Sequence, residues 1–178
     1  MLHRNKVNGE DITSIKQFTP VFEEINDDDK AFGHCMDDII LKLSNSGRVP
    51  LYHRREPRNI KIGYAQNLAQ LESAFQTNKK KRTADQAFNE DYFDYLYGIV
   101  TTGAEWHFII YTHDGIYCTS GSEYQINLTK SAIKENPELL RSNVKRVIGI
   151  IVGLLKDRVS IDSSPASKRA RIKKIIKK

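Results

Sequence analysis

The chain has 178 residues, of which 28 are basic, 22 are acidic and 39% are hydrophobic, and its formal charge is +6. Seven of the basic residues lie between Lys168 and Lys178, where no acid occurs, so the remainder has 21 basic and 22 acidic residues. This distribution excludes a uniformly cationic body of the histone or ribosomal type, and the length fits one domain with an ample core.

The first 30 residues are polar and are predicted to be a loosely structured entry segment, with a short helix near Val21 to Ile25. The opening MLHRNKVNGEDITS contains no apolar run, so we expect no secretory signal. A helix is predicted from Asp29 to Leu43, because its apolar residues follow helical spacing. The acidic residues at its start suit the positive end of the helix dipole.

Two short strands are predicted at Val49–Tyr52 and Ile60–Ile62, separated by the polar segment HRREPRN. The clearest amphipathic helix follows, from Tyr64 to Thr77. Its apolar residues recur at helical intervals, and they are Tyr64, Leu68, Leu71 and Phe75. A basic cluster follows this helix and consists of Lys79, Lys80, Lys81 and Arg82.

The chain then becomes rich in β-branched and aromatic residues, interrupted by turn residues such as Thr102-Gly103 and His113-Asp114-Gly115. We predict a three- or four-stranded antiparallel meander, with strands at Leu96–Thr101, Glu105–Thr112, Ile116–Thr119 and Glu123–Leu128. Two helices follow, one from Thr129 to Asn136 and one from Pro137 to about Arg158. The longest apolar run, within Val147–Leu155, is too short to span a bilayer.

This order of elements predicts an α/β or α+β fold, in which helices flank one mixed, mainly antiparallel sheet. We expect residues 1–30 to be the entry segment, residues 31–160 to be the folded domain, and residues 161–178 to be a linker and basic tail. Cys35 and Cys118 have no CxxC or CxxH partner, so we expect free thiols in a reducing compartment.

A family resemblance covers residues 60–158, slightly over half of the chain. It depends on the segments NIKIGYAQNLAQLESAF, NKKKR, YGIVTTGAEWHFIIYTHDGIY and LLRSNVKRVIGIIVGLLKDR. Together these resemble the nuclease-like domains of Crinkler-type and related fungal proteins, within the restriction-endonuclease-like PD-(D/E)XK group. The resemblance implies a helix-flanked sheet that binds a divalent metal and hydrolyses phosphodiester bonds.

In that group an Asp opens or follows one strand and a Glu-x-Lys triplet lies on the next. Two carboxylates hold Mg²⁺, and the lysine orients water and offsets charge in the transition state. The nearest substitute in this chain is Glu56-Pro57-Arg58. Its proline disfavours an interior strand, and arginine stays protonated where lysine can act as a base. The resemblance therefore implies a degenerate, impaired catalytic motif.

The metal-ligand candidates are Glu56 with Asp38 or its neighbour Asp37, although both Asp residues lie in a predicted helix. A solvated surface acid is the alternative for each. The family's helix often carries a glutamine near the site, which makes Gln66 and Gln70 candidates to line it. They are equally consistent with ordinary surface amides. The basic cluster Lys79–Arg82 is a candidate nucleic-acid contact.

Two further groups of residues have a structural or surface role as the simpler interpretation. A lone strand histidine such as His107 is more often structural than catalytic. Arg141, Lys145 and Arg146 are predicted to form a solvated face of the last long helix, with phosphate contact as the alternative.

The basic tail contains the run KRARIKK at residues 168–174. It follows a Ser/Pro linker that we expect to keep it extended and accessible. Such a run suits the acidic groove of a nuclear-import receptor and also a phosphate backbone, while a plain solvated tail is the third interpretation. Its candidate localisation residues are Lys168, Arg169, Arg171, Lys173 and Lys174.

Two hypotheses about function follow. The first is a nuclear protein, present in the nucleus alone or in nucleus and cytoplasm, that acts on DNA or RNA through a nuclease-like scaffold, with Mg²⁺ as cofactor if it is active. The second is a non-catalytic effector or interaction module that binds nucleic acid or a nuclear protein.

Overall fold

Four strands form one mixed sheet at the centre of the computed structural model, which describes residues 15–45, 57–80, 94–119, 123–160 and 164–176. They lie in the spatial order β1-β4-β3-β2, where the strands are β1 (Lys16–Gln17), β2 (Tyr95–Thr101), β3 (Trp106–Thr112) and β4 (Ile116–Cys118). The pairs β2–β3 and β3–β4 are antiparallel. β1 pairs with β4 in parallel.

Helices cover both faces of this sheet. They are α1 (Lys30–Asn45), α2 (Pro57–Lys80), α3 (Lys130–Glu135), α4 (Pro137–Ser160) and α5 (Pro165–Ile176). α2 packs on one face, while α1, α4 and α5 share a core with the other. The predicted α/β architecture, with a mixed, mainly antiparallel sheet flanked by helices, is therefore confirmed. No helix in the described ranges is long and apolar enough to cross a membrane.

Local hydrogen bonds explain where helices begin. The Asp29 carboxylate accepts a bond of 2.8 Å from the backbone N–H of Phe32 and so caps α1. The Ser164 hydroxyl accepts one of 3.2 Å from the backbone N–H of Ser167 at the start of α5. Pro165 then occupies the first position of α5, where a missing N–H costs little.

β3 is buried on both sides, so its residues alternate between two hydrophobic clusters. Phe108 and Ile110 face the α4 side, where they meet Phe32, Met36, Leu140, Val144, Val147 and Ile150. Ile109 and Tyr111 face α2, whose inward stripe is the predicted set Tyr64, Leu68, Leu71 and Phe75. The sequence pattern of α2 therefore identified the residues that it buries.

Three local predictions are wrong. Ile60–Ile62 is not a strand but lies within the first two turns of α2, and Ile60 packs at the edge of the α2 cluster. The segment Val21–Ile25 is irregular and not helical. Residues 123–128 pair with the sheet at the single bridge between Glu105 and Gln125. The predicted strand Val49–Tyr52 lies outside the described residues.

The extended conformation expected for the basic tail is also wrong for residues 165–176, which form α5. The physical reason is the pair Ile172 and Ile175, which lie one turn apart on the same side of the helix. They are only 4% and 6% exposed and belong to the core cluster on the α4 side of the sheet. The apolar residues within the basic run thus bury against the domain itself.

Candidate nucleic-acid interface

Two buried carboxylates stand where β2 begins and α4 ends. The first is Asp94, whose oxygens accept hydrogen bonds from Arg158 at 3.0 and 3.4 Å and from Lys168 at 3.0 Å. Burial alone raises the pKa of Asp94, but the hydrogen bonds from the two cations outweigh it and lower the pKa below 3.8. Asp94 is therefore a charged group that holds two elements together.

The second carboxylate is Asp157 in α4, which accepts hydrogen bonds from both the Tyr95 and the Tyr97 hydroxyls at 2.8 Å. It also accepts one from Nε of Arg171 at 2.5 Å. Burial, and then the hydrogen bonds to Asp157, raise the pKa of both tyrosines. Both hydroxyls therefore stay protonated and act as donors at any physiological pH.

We call this set the anchoring network, and its members are Asp94, Tyr95, Tyr97, Asp157, Arg158, Lys168 and Arg171. It divides the five predicted localisation residues into separate groups. Lys168 and Arg171 turn inward to the two carboxylates. Lys173 and Lys174 are exposed, and Arg169 is half-buried. The positive charge that α5 presents to solvent is therefore concentrated near its C-terminal end.

The other predicted basic cluster follows α2, which runs antiparallel to β2. Near its start, a Cβ on Gly63 would lie 2.9 Å from Val100. Near its end, the Phe75 ring meets the Tyr111 ring edge to face at 5.5 Å between centroids. α2 continues five residues beyond Phe75, or about 7.5 Å at 1.5 Å per residue.

α2 therefore ends near the start of β2, where Tyr95 pairs with Thr112. We call this end of the sheet the Tyr95 end. Asp94 and its partner Lys168 lie there too, so α2 ends at the same end of the sheet as the start of α5. Lys79 and Lys80 are the last residues of α2. Lys81 and Arg82 lie outside the described residues.

Among the described residues that the resemblance selects for a catalytic site, the two glutamines and Asp38 lie on helices at opposite faces of the sheet. Gln66 and Gln70 are exposed on α2, which covers one face of the sheet. Asp38 is exposed on α1, which packs at the other face, and its carboxylate lies 3.8 Å from the Lys42 ammonium. Arg58 lies in the first turn of α2, and Glu56 lies outside the described residues.

Of the candidate carboxylate ligands for magnesium, the structure describes Asp38 and its neighbour Asp37 but not Glu56. In the part of the chain that the structure describes, no group of three or more His, Cys, Asp or Glu side chains is arranged to hold a metal ion. We therefore derive no hydrolytic step from these residues.

Sequence reasoning missed the anchoring network, although a signal for it existed. Asp157 lies three residues after Leu154, so it falls on the buried stripe of α4. An acid on such a stripe is expected to be paired, because an unpaired buried charge is costly. The basic run that follows in the chain was the natural place to search for its partner.

A second group of buried polar atoms lies between α2 and the sheet. The Asn67 side-chain oxygen and both ring nitrogens of His107 are buried without a hydrogen-bond partner among the described residues. The rings of Tyr64 and His107 meet edge to face at 5.4 Å between centroids. Burial lowers the pKa of His107, so the ring is neutral and packs as part of the core.

Comparisons with protein-family models, with curated proteins and with solved structures found no match to this chain.

Proposed function

We propose that this chain is a nuclear, nucleic-acid-binding protein built on a restriction-endonuclease-like scaffold whose Mg²⁺-dependent hydrolysis is impaired. The observation that carries the proposal is the pair of exposed lysines, Lys173 and Lys174, near the C-terminal end of α5. A second pair, Lys79 and Lys80, ends α2 at the Tyr95 end of the sheet. Clustered cations bind a phosphate backbone by releasing its counterions.

The charge distribution favours the exposed lysines of α5 over the rest of the body as the phosphate contact. The body without the tail is close to neutral, so non-specific attraction must come from local clusters. Lys173 and Lys174 are exposed, whereas Lys168 and Arg171 are paired with buried acids. We therefore assign phosphate contact to the first pair and a structural role to the second.

The test is a salt titration of binding to a DNA duplex and an RNA duplex. Lys173→Ala/Lys174→Ala should weaken binding and reduce the slope of log K against log salt by about 0.9 for each phosphate that the variant no longer neutralises. The matched control is Lys130→Ala/Lys134→Ala in α3, which removes two exposed lysines. That pair precedes α4, whose 24 residues place its far end about 36 Å from its start. Equal slopes of log K against log salt for both double variants would reject the proposed phosphate contact.

The restriction-endonuclease-like scaffold is supported by the helix-flanked, mainly antiparallel sheet and by the family resemblance. Impaired hydrolysis is supported by the missing Glu-x-Lys triplet. We expect no plasmid cleavage in Mg²⁺ or Mn²⁺ above an EDTA control, and no difference between wild type and Glu56→Ala. Metal-dependent cleavage that Glu56→Ala abolishes would show an active nuclease instead.

Nuclear import is a second role of the same helix, supported by the run KRARIKK. A fluorescent fusion of the full chain should lose nuclear enrichment in Lys173→Ala/Lys174→Ala but keep it in Lys130→Ala/Lys134→Ala. Deletion of residues 168–178 is a poor test, because it removes the core residues Ile172 and Ile175. Unchanged localisation of the first double variant would exclude its two lysines from an import signal.

A further inference from the structure

A cavity of about 450 Å³ opens beside α4, away from the anchoring network. Its wall combines aromatic rings, cations and hydroxyls, contributed by Thr19, Phe22, Tyr124, Ser142, Lys145 and Arg146. Cavities of this size accommodate small organic ligands. The mixture of an apolar ring and cations favours a ligand that is aromatic at one end and anionic at the other.

The position of Phe22 is fixed by a close backbone crossing. The segment that carries it lies across α4 at two glycines, where a Cβ on Gly153 would come within 2.5 Å of the Val21 carbonyl oxygen. A Cβ on Gly149 would come within 2.5 Å of the Phe22 ring. The Glu23 N–H also donates to the Gly149 carbonyl at 3.0 Å. Only glycine at these positions allows the segment to approach so closely.

Phe22 is nevertheless 52% exposed. Among the described residues it is the only Phe, Tyr or Trp whose side chain is mainly exposed. One edge of its ring packs against Gly149, and the rest faces solvent at the cavity. A fixed, exposed aromatic ring is a stacking platform for a planar group.

The cations beside this ring are held by exposed acids. Nζ of Lys145 lies 2.8 Å from the Asp27 carboxylate, whose side chain is 73% exposed. Nη2 of Arg146 lies 3.2 Å from the Glu123 carboxylate, and its guanidinium lies 4.7 Å from the centroid of the Tyr124 ring. Exposed ion pairs of this kind contribute little energy, so a phosphate can replace either carboxylate as partner.

Among the residues that line the cavity, Lys145 and Arg146 are cations and Glu123 is an acid, so the lining carries a net positive charge. This balance and the arginine fork favour a phosphate over a neutral group.

We propose that this cavity binds one unpaired nucleotide of a single-stranded nucleic acid, with the base on Phe22 and its phosphate at Lys145 and Arg146. The proposal rests on the proposed nucleic-acid function but uses a separate surface. A base inside a duplex is stacked between its neighbours, so only an unpaired base can reach Phe22.

The test compares three probes by fluorescence anisotropy or calorimetry: a ten-residue oligothymidylate, a DNA duplex and adenosine monophosphate. Phe22→Leu keeps an apolar side chain against Gly149 but removes the aromatic face. It should weaken binding of the oligothymidylate about tenfold, with an unchanged salt slope, and leave duplex binding as in wild type. Lys145→Ala should reduce the single-strand salt slope by about 0.7.

Leu155→Ala is the control, since Leu155 is 63% exposed on the same helix and should not affect any probe. Wild-type affinity of Phe22→Leu for the oligothymidylate, with duplex binding intact, overturns the cavity proposal and leaves the proposed function standing. Absence of all binding by wild type overturns both. Binding of adenosine monophosphate that Phe22→Leu weakens, without duplex binding, supports the cavity proposal and rejects the proposed phosphate contact by Lys173 and Lys174.

Discussion

Arg171 donates a hydrogen bond from Nε to the Asp157 carboxylate over 2.5 Å, although Asp157 is almost fully buried and Arg171 belongs to the basic run. The same carboxylate accepts from two tyrosine hydroxyls of β2. The Asp157 side chain thus connects α4, α5 and the edge strand of the sheet. Arg171, which the sequence suggests as part of a nuclear-import signal, has a structural role in the fold.

Loss of this ion pair should destabilise the protein. Arg171→Met keeps the aliphatic stem but leaves the charge of Asp157 without its cation, and breaking a buried pair costs about 3 kcal/mol. Urea denaturation followed by circular dichroism measures the change. Lys173→Met, on the exposed side of α5, should change the free energy of unfolding by less than about 0.5 kcal/mol. Equal effects of the two variants would contradict the anchoring network.

Removal of apolar volume from α5 should destabilise the protein about as much as loss of the Arg171–Asp157 ion pair. Ile172 is 4% exposed within the main core, so Ile172→Ala should lower the free energy of unfolding by about 2–5 kcal/mol. Val159→Ala is the control, because Val159 is 87% exposed and should have almost no effect. A thermal midpoint of Ile172→Ala equal to that of the control would mean that α5 does not belong to the core in solution.

The glycines of α4 should not tolerate a methyl group. Gly149→Ala and Gly153→Ala each place a Cβ about 2.5 Å from another segment, and overpacking of this kind costs about 1–3 kcal/mol. Gly33→Ala in α1 meets nothing within 4 Å. It should stabilise the protein by about 0.5–1 kcal/mol, because alanine favours the helix over glycine. Chemical denaturation of the three variants separates these opposite signs.

The burial of the His107 ring predicts a specific pH dependence of the free energy of unfolding. Burial lowers its pKa below the ordinary 6.5, so below pH 6.5 the unfolded chain binds a proton that the folded chain does not. Stability should therefore be unaffected by this group above pH 6.5. It should fall as the pH drops from 6.5 towards the lowered pKa, by at most about 1.4 kcal/mol per pH unit.

The measurement is urea denaturation at several pH values between 7.5 and 5, a range that lies above the pH at which most carboxylates titrate. His107→Phe keeps an aromatic ring against Tyr64 and removes the proton site, so its stability should change less over this range. A wild-type curve parallel to that of His107→Phe would show that His107 contributes nothing to the pH dependence.

Much of the fold could be predicted because its signals are local. The helices at residues 30–45, 57–80 and 137–160 have apolar stripes, and the meander has turn residues such as Gly103, whose φ of 86° suits glycine. The prediction for Ile60 was wrong because the three-residue segment Ile60–Ile62, with Lys61 at its centre, is too short to distinguish a strand from a helix. Ile60 lies four residues before Tyr64, a spacing that places both side chains on the same face of α2.

The site was harder to predict because its partners are distant in sequence. Asp157 and Tyr95 are 62 residues apart, and no local pattern joins them. The sequence of the tail does not show what would cover its isoleucines. Tertiary packing alone shows that the domain's own core does so.

Because α5 packs on the core, protease cleavage within the basic run reports whether this helix is docked. Trypsin cleaves after lysine and arginine, but only where the backbone can extend into its active site. α5 contains five such positions, at Lys168, Arg169, Arg171, Lys173 and Lys174. Their rate of cleavage should therefore follow how often the helix opens. A ligand that binds the docked form would slow digestion, and a receptor that takes the run in extended form would compete with the core for Ile172 and Ile175.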